Sequence, residues 1–149
     1  MEKINENIIN LYNKWKEGYT RKENSFKLRV RNFLSNREDA NKFKISKDGK
    51  HLNASDTVRI TDDDISDGKF IVPFGKVNWN FDCMSCTSLT SLEGAPKEVY
   101  SDFYCYGCKN LKSIKDLPKI IGGDLYIDKR FEGKIPKDVT IGGEIKYYG

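Results

Sequence analysis

The chain has 149 residues and a mass of 17.2 kDa, one ordinary domain able to bury roughly 70 % of its unfolded surface. Charged residues make up 32 % and mean hydropathy is -0.66, polar for a globular protein, yet 12 % aromatics are too many for a disordered chain. The net charge of +4 is unevenly placed. Residues 1–54 hold 13 Lys/Arg against 7 Asp/Glu and residues 55–149 hold 13 against 15, so a basic first third precedes a slightly acidic remainder. No apolar run approaches the ~20 residues that span a bilayer, and Met1 to Asn10 are polar and mixed in charge. These features predict neither membrane contact nor a signal segment, and a cytoplasmic location.

Ile4, Ile8, Ile9, Tyr12 and Trp15 recur at helical spacing and predict an amphipathic helix ending near Gly18. A second helix is predicted from Asn24 to Ser35, with Phe26, Val30, Phe33 and Leu34 on one face. Phe26 to Arg31 also alternates apolar and basic residues, which suits a strand with a basic outer face. Residues 1–42 therefore read as a helical, basic lobe that caps the open hydrophobic end of a solenoid formed by the rest of the chain. Arg21, Lys22, Lys27, Arg29, Arg31 and Arg37 offer an alternative, a basic surface that touches nucleic acid or an acidic protein.

Residues 43–76 read as a β lead-in with a degenerate first repeat. Asp48-Gly49 lies between short strands, and Val58-Arg59-Ile60 with the later Phe70 to Pro73 forms an irregular first turn. The single histidine, His51, is far in sequence from every cysteine, so no Cys-His nucleophile is in view. Asp62-Asp63-Asp64 are consecutive, and without a structured loop three such carboxylates do not converge on one cation, so they read as a solvated turn.

From residue 77 the chain repeats itself. Phe81 to Tyr100 superposes on Phe103 to Gly122 at a spacing of 22. Phe81 falls on Phe103, Cys83 on Cys105, Cys86 on Cys108, Leu89 on Leu111, Leu92 on Ile114, Pro96 on Pro118 and Val99 on Ile121. A third unit starts in phase with Leu125 and Ile127. A shorter fourth opens at Gly142-Gly143-Glu144-Ile145, which repeats Gly122-Gly123-Asp124-Leu125 at a spacing of 20. The predicted fold is α+β, an N-terminal helical lobe on a short leucine-rich-repeat-like β-solenoid of four or five turns, each of about 22 residues.

The cysteines form C-x2-C-x18-C-x2-C, a spacing that also suits a four-thiolate zinc site of Cys83, Cys86, Cys105 and Cys108. The repeat assigns them packing instead. Ile127 occupies the third equivalent of Cys83 and Cys105 and cannot bind metal, and free cysteine is a small buried hydrophobe. No cofactor is predicted, and the glycine pairs precede strands without a phosphate-binding motif. The chain is predicted not to be an enzyme.

Strand residues alternate, so with Phe81, Cys83, Phe103, Cys105, Leu125 and Ile127 facing inward their neighbours face outward in columns. One column is Asn80, Asp102, Asp124 and Glu144. The next is Asp82, Tyr104, Tyr126 and Lys146, and the third is Met84, Tyr106, Asp128 and Tyr148. Tyrosines bounded by carboxylates suit a protein interface, or the rings stack into ladders that stabilise the sheet. The last strand, Ile145 to Tyr148, has no visible cap, so pairing with a second copy is a further possibility.

Phe74-Gly75-Lys76-Val77, Phe81-Asp82-Cys83, the run from Leu89 to Val99 and Asp102-Phe103-Tyr104-Cys105 together resemble the short leucine-rich-like repeats encoded by large tailed phages and prophages. The resemblance covers about residues 43–149. It departs from the family pattern where the usual Asn is Cys and where Trp79 stands at a common Gly position. It implies a phage-encoded interaction module in the host cytoplasm that binds and inhibits or redirects a host protein, such as a defence component in the manner of an anti-CRISPR, or a part of the transcription system.

Overall fold

The computed structural model describes residues 6–15 and 21–149. Helix α1 (Glu6–Trp15) and helix α2 (Arg21–Leu34) come first. The predicted helix limits at Ile4 and Gly18 lie outside the described residues. On α1, Ile8 is buried and Leu11 packs on the core, whereas Ile9, one step of ~100° past Ile8, faces solvent. On α2, Phe26, Val30, Phe33 and Leu34 are buried as the helical spacing requires, so the alternating strand reading of Phe26 to Arg31 gives way to a helix.

Strand β1 (Phe43–Ile45) turns at Gly49 and pairs antiparallel with β2 (Leu52–Ala54). The φ of +73° at Gly49 is the left-handed turn geometry that the Asp-Gly pair signals. From β2 onward each turn gives one strand to each of two sheets. The first sheet runs in the order β1, β2, β6 (Phe74–Val77), β8 (Glu98–Val99), β10 (Ile120–Ile121), β12 (Thr140–Ile141). The second runs β13 (Ile145–Tyr148), β11 (Leu125–Asp128), β9 (Phe103–Tyr104), β7 (Phe81–Asp82), β3 (Val58–Arg59). All pairs but β1 with β2 are parallel within these sheets. A hairpin of β4 (Ile65–Ser66) and β5 (Lys69–Phe70) leaves the first turn through left-handed Asp67 and Gly68 and returns Phe70 to the core.

The result is a β-solenoid of about four turns. Phe81 pairs with Phe103, Phe103 with Leu125 and Leu125 with Ile145, the predicted register, and Val58 of the irregular first turn pairs with Phe81 at a spacing the repeat did not specify. Inside, Phe81 stacks on Phe103 at 5.5 Å, and Phe74 and Phe70 meet Phe81 edge-on. Phe33 of α2 meets Phe43 at 5.3 Å and Phe74 at 5.4 Å, so the helical lobe closes the first turn and shares one core with the repeats. Truncating a central ring such as Phe103 to Ala would cost ~3–5 kcal/mol.

The glycine pairs have a packing cause. Between the two sheets the chain turns a corner, and a Cβ on Gly122 or Gly123 would overlap the backbone of Tyr100 or Ser101 in the turn before. Gly142 and Gly143 meet Gly122 and Gly123 in the same way. Among the described residues no helix is long and apolar enough to cross a membrane.

Candidate functional site

The outward face of the second sheet carries the predicted columns, and the strand register places them side by side. Arg59, Asp82, Tyr104, Tyr126 and Lys146 occupy successive rungs. Tyr104 and Tyr126 stack with centroids 4.3 Å apart and planes 14° apart. Lys146 Nζ lies 5.2 Å from the Tyr126 centroid and is held by Asp124 at 3.2 Å. The Asp124 carboxylate, followed by a hydrogen bond with the Tyr126 phenol oxygen, raises the Lys146 pKa above its ordinary value. Arg59 pairs with Asp82 at 3.6 Å.

The column of Asn80, Asp102, Asp124 and Glu144 is a hydrogen-bonded ladder. The Asp102 N–H donates to Asn80 Oδ1 at 2.9 Å, the Asp124 N–H to Asp102 Oδ1 at 2.7 Å, and the Glu144 N–H to Asp124 Oδ1 at 2.8 Å. Each side chain thus supplies the acceptor that the corner backbone of the next turn lacks. The second carboxylate oxygens remain at the surface, where Asp102 Oδ2 accepts from the Tyr104 hydroxyl at 3.2 Å. Burial, reinforced by the Asp102 charge, pushes the Tyr104 phenol up to about 12. The Glu144 N–H, followed by Lys146, holds Asp124 below the usual carboxylate value.

The third column is bent. Asp128 turns back to accept the Gly107 N–H at 2.9 Å and pairs with Arg130 at 3.5 Å. Tyr106 reaches past it to stack on Tyr148 at 4.5 Å, and Tyr148 lies 6.1 Å from Tyr126. Tyr104, Tyr126, Tyr148 and Tyr106 therefore form one connected cluster, which simple alternation did not anticipate. Met84 stands exposed at the margin, with its N–H on Asp82 Oδ1.

Cys83, Cys86, Cys105 and Cys108 are buried in the solenoid interior as free thiols. Three of the S–H groups find carbonyls: Cys83 donates to Tyr104 O at 3.3 Å, Cys86 to Ile60 O at 3.5 Å and Cys108 to Cys83 O at 3.1 Å. Burial pushes the Cys86 thiol up to about 12 and drives Cys105 upward as well; the contact with Cys108, then burial, raises Cys83. Among the described residues no group of three or more His, Cys, Asp and Glu side chains is arranged to hold a metal ion.

Asp62 accepts from the Ser88 N–H at 2.9 Å and the Thr87 hydroxyl at 3.3 Å. Asp64 accepts the Thr61 N–H at 3.0 Å, so this acidic run ties the first turn to the second.

Among the described residues, the basic side chains of the lobe differ in exposure and partners. Lys27 is 8 % exposed, Arg31 is half-buried, and Arg29 is exposed. Arg37 is bound to Asp39 at 3.0 Å and Asp64 at 3.3 Å, donates to Arg59 O at 3.1 Å and lies 4.5 Å over the Phe33 ring. The side chains of Arg21 and Lys22 lie outside the described residues. The helix separates what a strand would have aligned.

Arg130 was not singled out in the sequence. Its guanidinium donates to Leu111 O at 2.6 Å and Cys108 O at 2.8 Å and lies 4.3 Å over the Phe131 ring, which ties the third unit to the one before it. The signal available was an arginine placed 22 residues after Cys108, where the third unit departs from the repeat. Comparison of the chain with protein families, with curated proteins and with solved structures finds no match in any of the three.

Proposed function

We propose that the protein is a noncatalytic binding module that holds a partner protein on the outward face of its second sheet. The observation that carries this reading is the connected cluster of Tyr104, Tyr126, Tyr148 and Tyr106, flanked by Asp82, Asp102 and Asp124 on a regular strand lattice. Tyrosine contributes large contact area with little entropy loss, and rings locked by stacking lose less still on binding. Carboxylates beside phenol oxygens favour a partner surface that supplies Arg or Lys side chains.

The leucine-rich-like character of the units and their resemblance to phage repeats support a host protein as that partner, with inhibition or redirection as the outcome. This step rests on likeness of sequence pattern alone. Affinity purification of the full chain from a bacterial extract, with mass spectrometry of the retained proteins, tests it. A stoichiometric protein retained by the wild type and lost with Tyr104→Ala and Tyr126→Ala is expected. Retention that ignores both changes contradicts the reading.

A further inference from the structure

We propose that a groove between the helical lobe and the β1–β2 hairpin is a second binding site, which takes an acidic peptide segment of a partner protein anchored by one apolar side chain. It is built from other elements than the tyrosine face and does not depend on the function proposed there. The groove measures about 760 Å3, within the range of about 300–1,000 Å3 typical of ligand sites. Leu11 of α1, Ile45 of β1 and Pro73 give it an apolar lining, and four cations line it as well, the exposed Arg29, Lys47 and Lys50 and the buried Lys27.

None of the three exposed cations forms an ion pair with a described residue. The one carboxylate in the lining, Asp48, is committed to its own turn. It accepts the Ser46 hydroxyl at 2.6 Å and the Lys50 N–H at 3.0 Å. The groove therefore keeps a positive balance beside an apolar lining, which is complementary to carboxylates flanking an apolar side chain.

The same geometry argues against a nucleic acid. Apart from Phe26, which is only 8 % exposed and offers no free face for a base, the apolar lining is aliphatic. Three exposed cations are few for a track along which a phosphate backbone could run. A bare inorganic anion would leave the apolar lining unfilled.

The test is selection from a displayed random peptide library on the immobilised full chain, at ~50 mM and ~150 mM salt. The expected winners carry Asp or Glu on both sides of a Leu, Ile or Phe. A labelled copy of the enriched peptide should lose about tenfold or more in affinity with Arg29→Glu plus Lys47→Glu, because lining charges turn from attractive to repulsive. Tyr126→Ala should leave that affinity unchanged, which separates this site from the tyrosine face. All the changed cations are exposed, and circular dichroism checks the fold of the variant. If the double variant fails to fold, Lys47→Glu with Lys50→Glu, both on the hairpin turn, replaces it. The proposal is overturned by winners without acidic residues or by equal binding to the charge-reversed chain. Displacement of the peptide by a single-stranded oligonucleotide would assign the groove to nucleic acid instead. Self-association of the chain that is abolished by the same charge reversals would assign it to a second copy.

Discussion

The ring of Tyr126 lies 4.3 Å from that of Tyr104, one solenoid turn away and 14° from parallel. Each ring covers a face of the other, so a partner meets ring edges and phenol oxygens more than a flat aromatic platform. That favours hydrogen bonds and edge packing against protein side chains over the stacking of bases or sugars. Tyr104→Ala is expected to cost ~1–3 kcal/mol in partner binding and ~0.5–1.5 kcal/mol in stability through the lost stack. Tyr104→Phe keeps the stack and removes the hydroxyl donated to Asp102, so thermal melts should stay close to wild type while calorimetric affinity falls.

The acidic ladder separates two roles of one side chain. Asn80 already serves as its first acceptor, so the ladder needs an oxygen and not a charge. Asp102→Asn should therefore melt close to wild type, whereas Asp102→Ala leaves the Asp124 N–H without its acceptor and should lose ~1–2 kcal/mol. If Asp102 also meets a cationic partner, the Asn variant will bind more weakly despite its intact fold. Denaturant titration paired with a binding isotherm distinguishes the effects.

The buried thiols make the fold sensitive to alkali. Cys86 holds its proton up to about 12 in the folded chain, against an ordinary value of 9.0, and Cys83 and Cys105 are raised in the same direction, while Cys108, lowered by its hydrogen bond with Cys83, offsets part of their effect. Between those values the unfolded chain loses protons that the folded chain keeps, so stability present below pH 9 declines as pH rises towards 12. Melting temperature measured from pH 8 to pH 11 should fall, and Cys86→Ala should flatten part of that fall. In the same samples, metal analysis should find well under one zinc per chain and chelator should not move the melt. Stoichiometric zinc lost together with folding would contradict the packing role.

Arg37 is predicted to matter for folding. Its guanidinium bridges Asp39, Asp64 and the Arg59 carbonyl between the lobe and the first turn. Arg37→Ala should lower stability by ~1–3 kcal/mol, the cost of leaving part-buried carboxylates and a carbonyl without their donor. Any attraction of the chain for DNA or RNA should be weak and fade steeply with salt. Filter binding at ~150 mM salt that is tight, and abolished by Arg29→Glu with Arg31→Glu, would contradict this.

The inward positions of the solenoid were legible because a period of 22 residues carries apolar side chains through Phe81, Phe103 and Leu125, whose register the backbone keeps. The outward columns came from alternation alone as far as Tyr104 and Tyr126. At Asp128 the register keeps the column, pairing it with Tyr148, but a two-residue period says nothing of its carboxylate accepting the Gly107 N–H, or of Tyr106 stacking on Tyr148. The differing surroundings of the basic side chains were hidden for a related reason. Charge counts ignore direction, and the helix turns Lys27 into the protein while Arg37 bonds along the first turn. The groove beside Arg29 was invisible because its parts, from α1, α2, the β1–β2 hairpin and Pro73, are far apart in sequence and meet only in the fold.

The most direct test is the affinity of the purified partner for three forms of the chain, measured by titration calorimetry. The wild type and Lys119→Ala, whose lysine sits in an exposed ion pair with Asp138 away from the tyrosines, should bind alike at one partner per chain. The Tyr104→Ala, Tyr126→Ala double variant should bind at least about tenfold more weakly, each tenfold loss being ~1.4 kcal/mol. Undiminished binding by that double variant, with binding destroyed by changes within residues 21–38, would make the solenoid a scaffold and the helical lobe the effector.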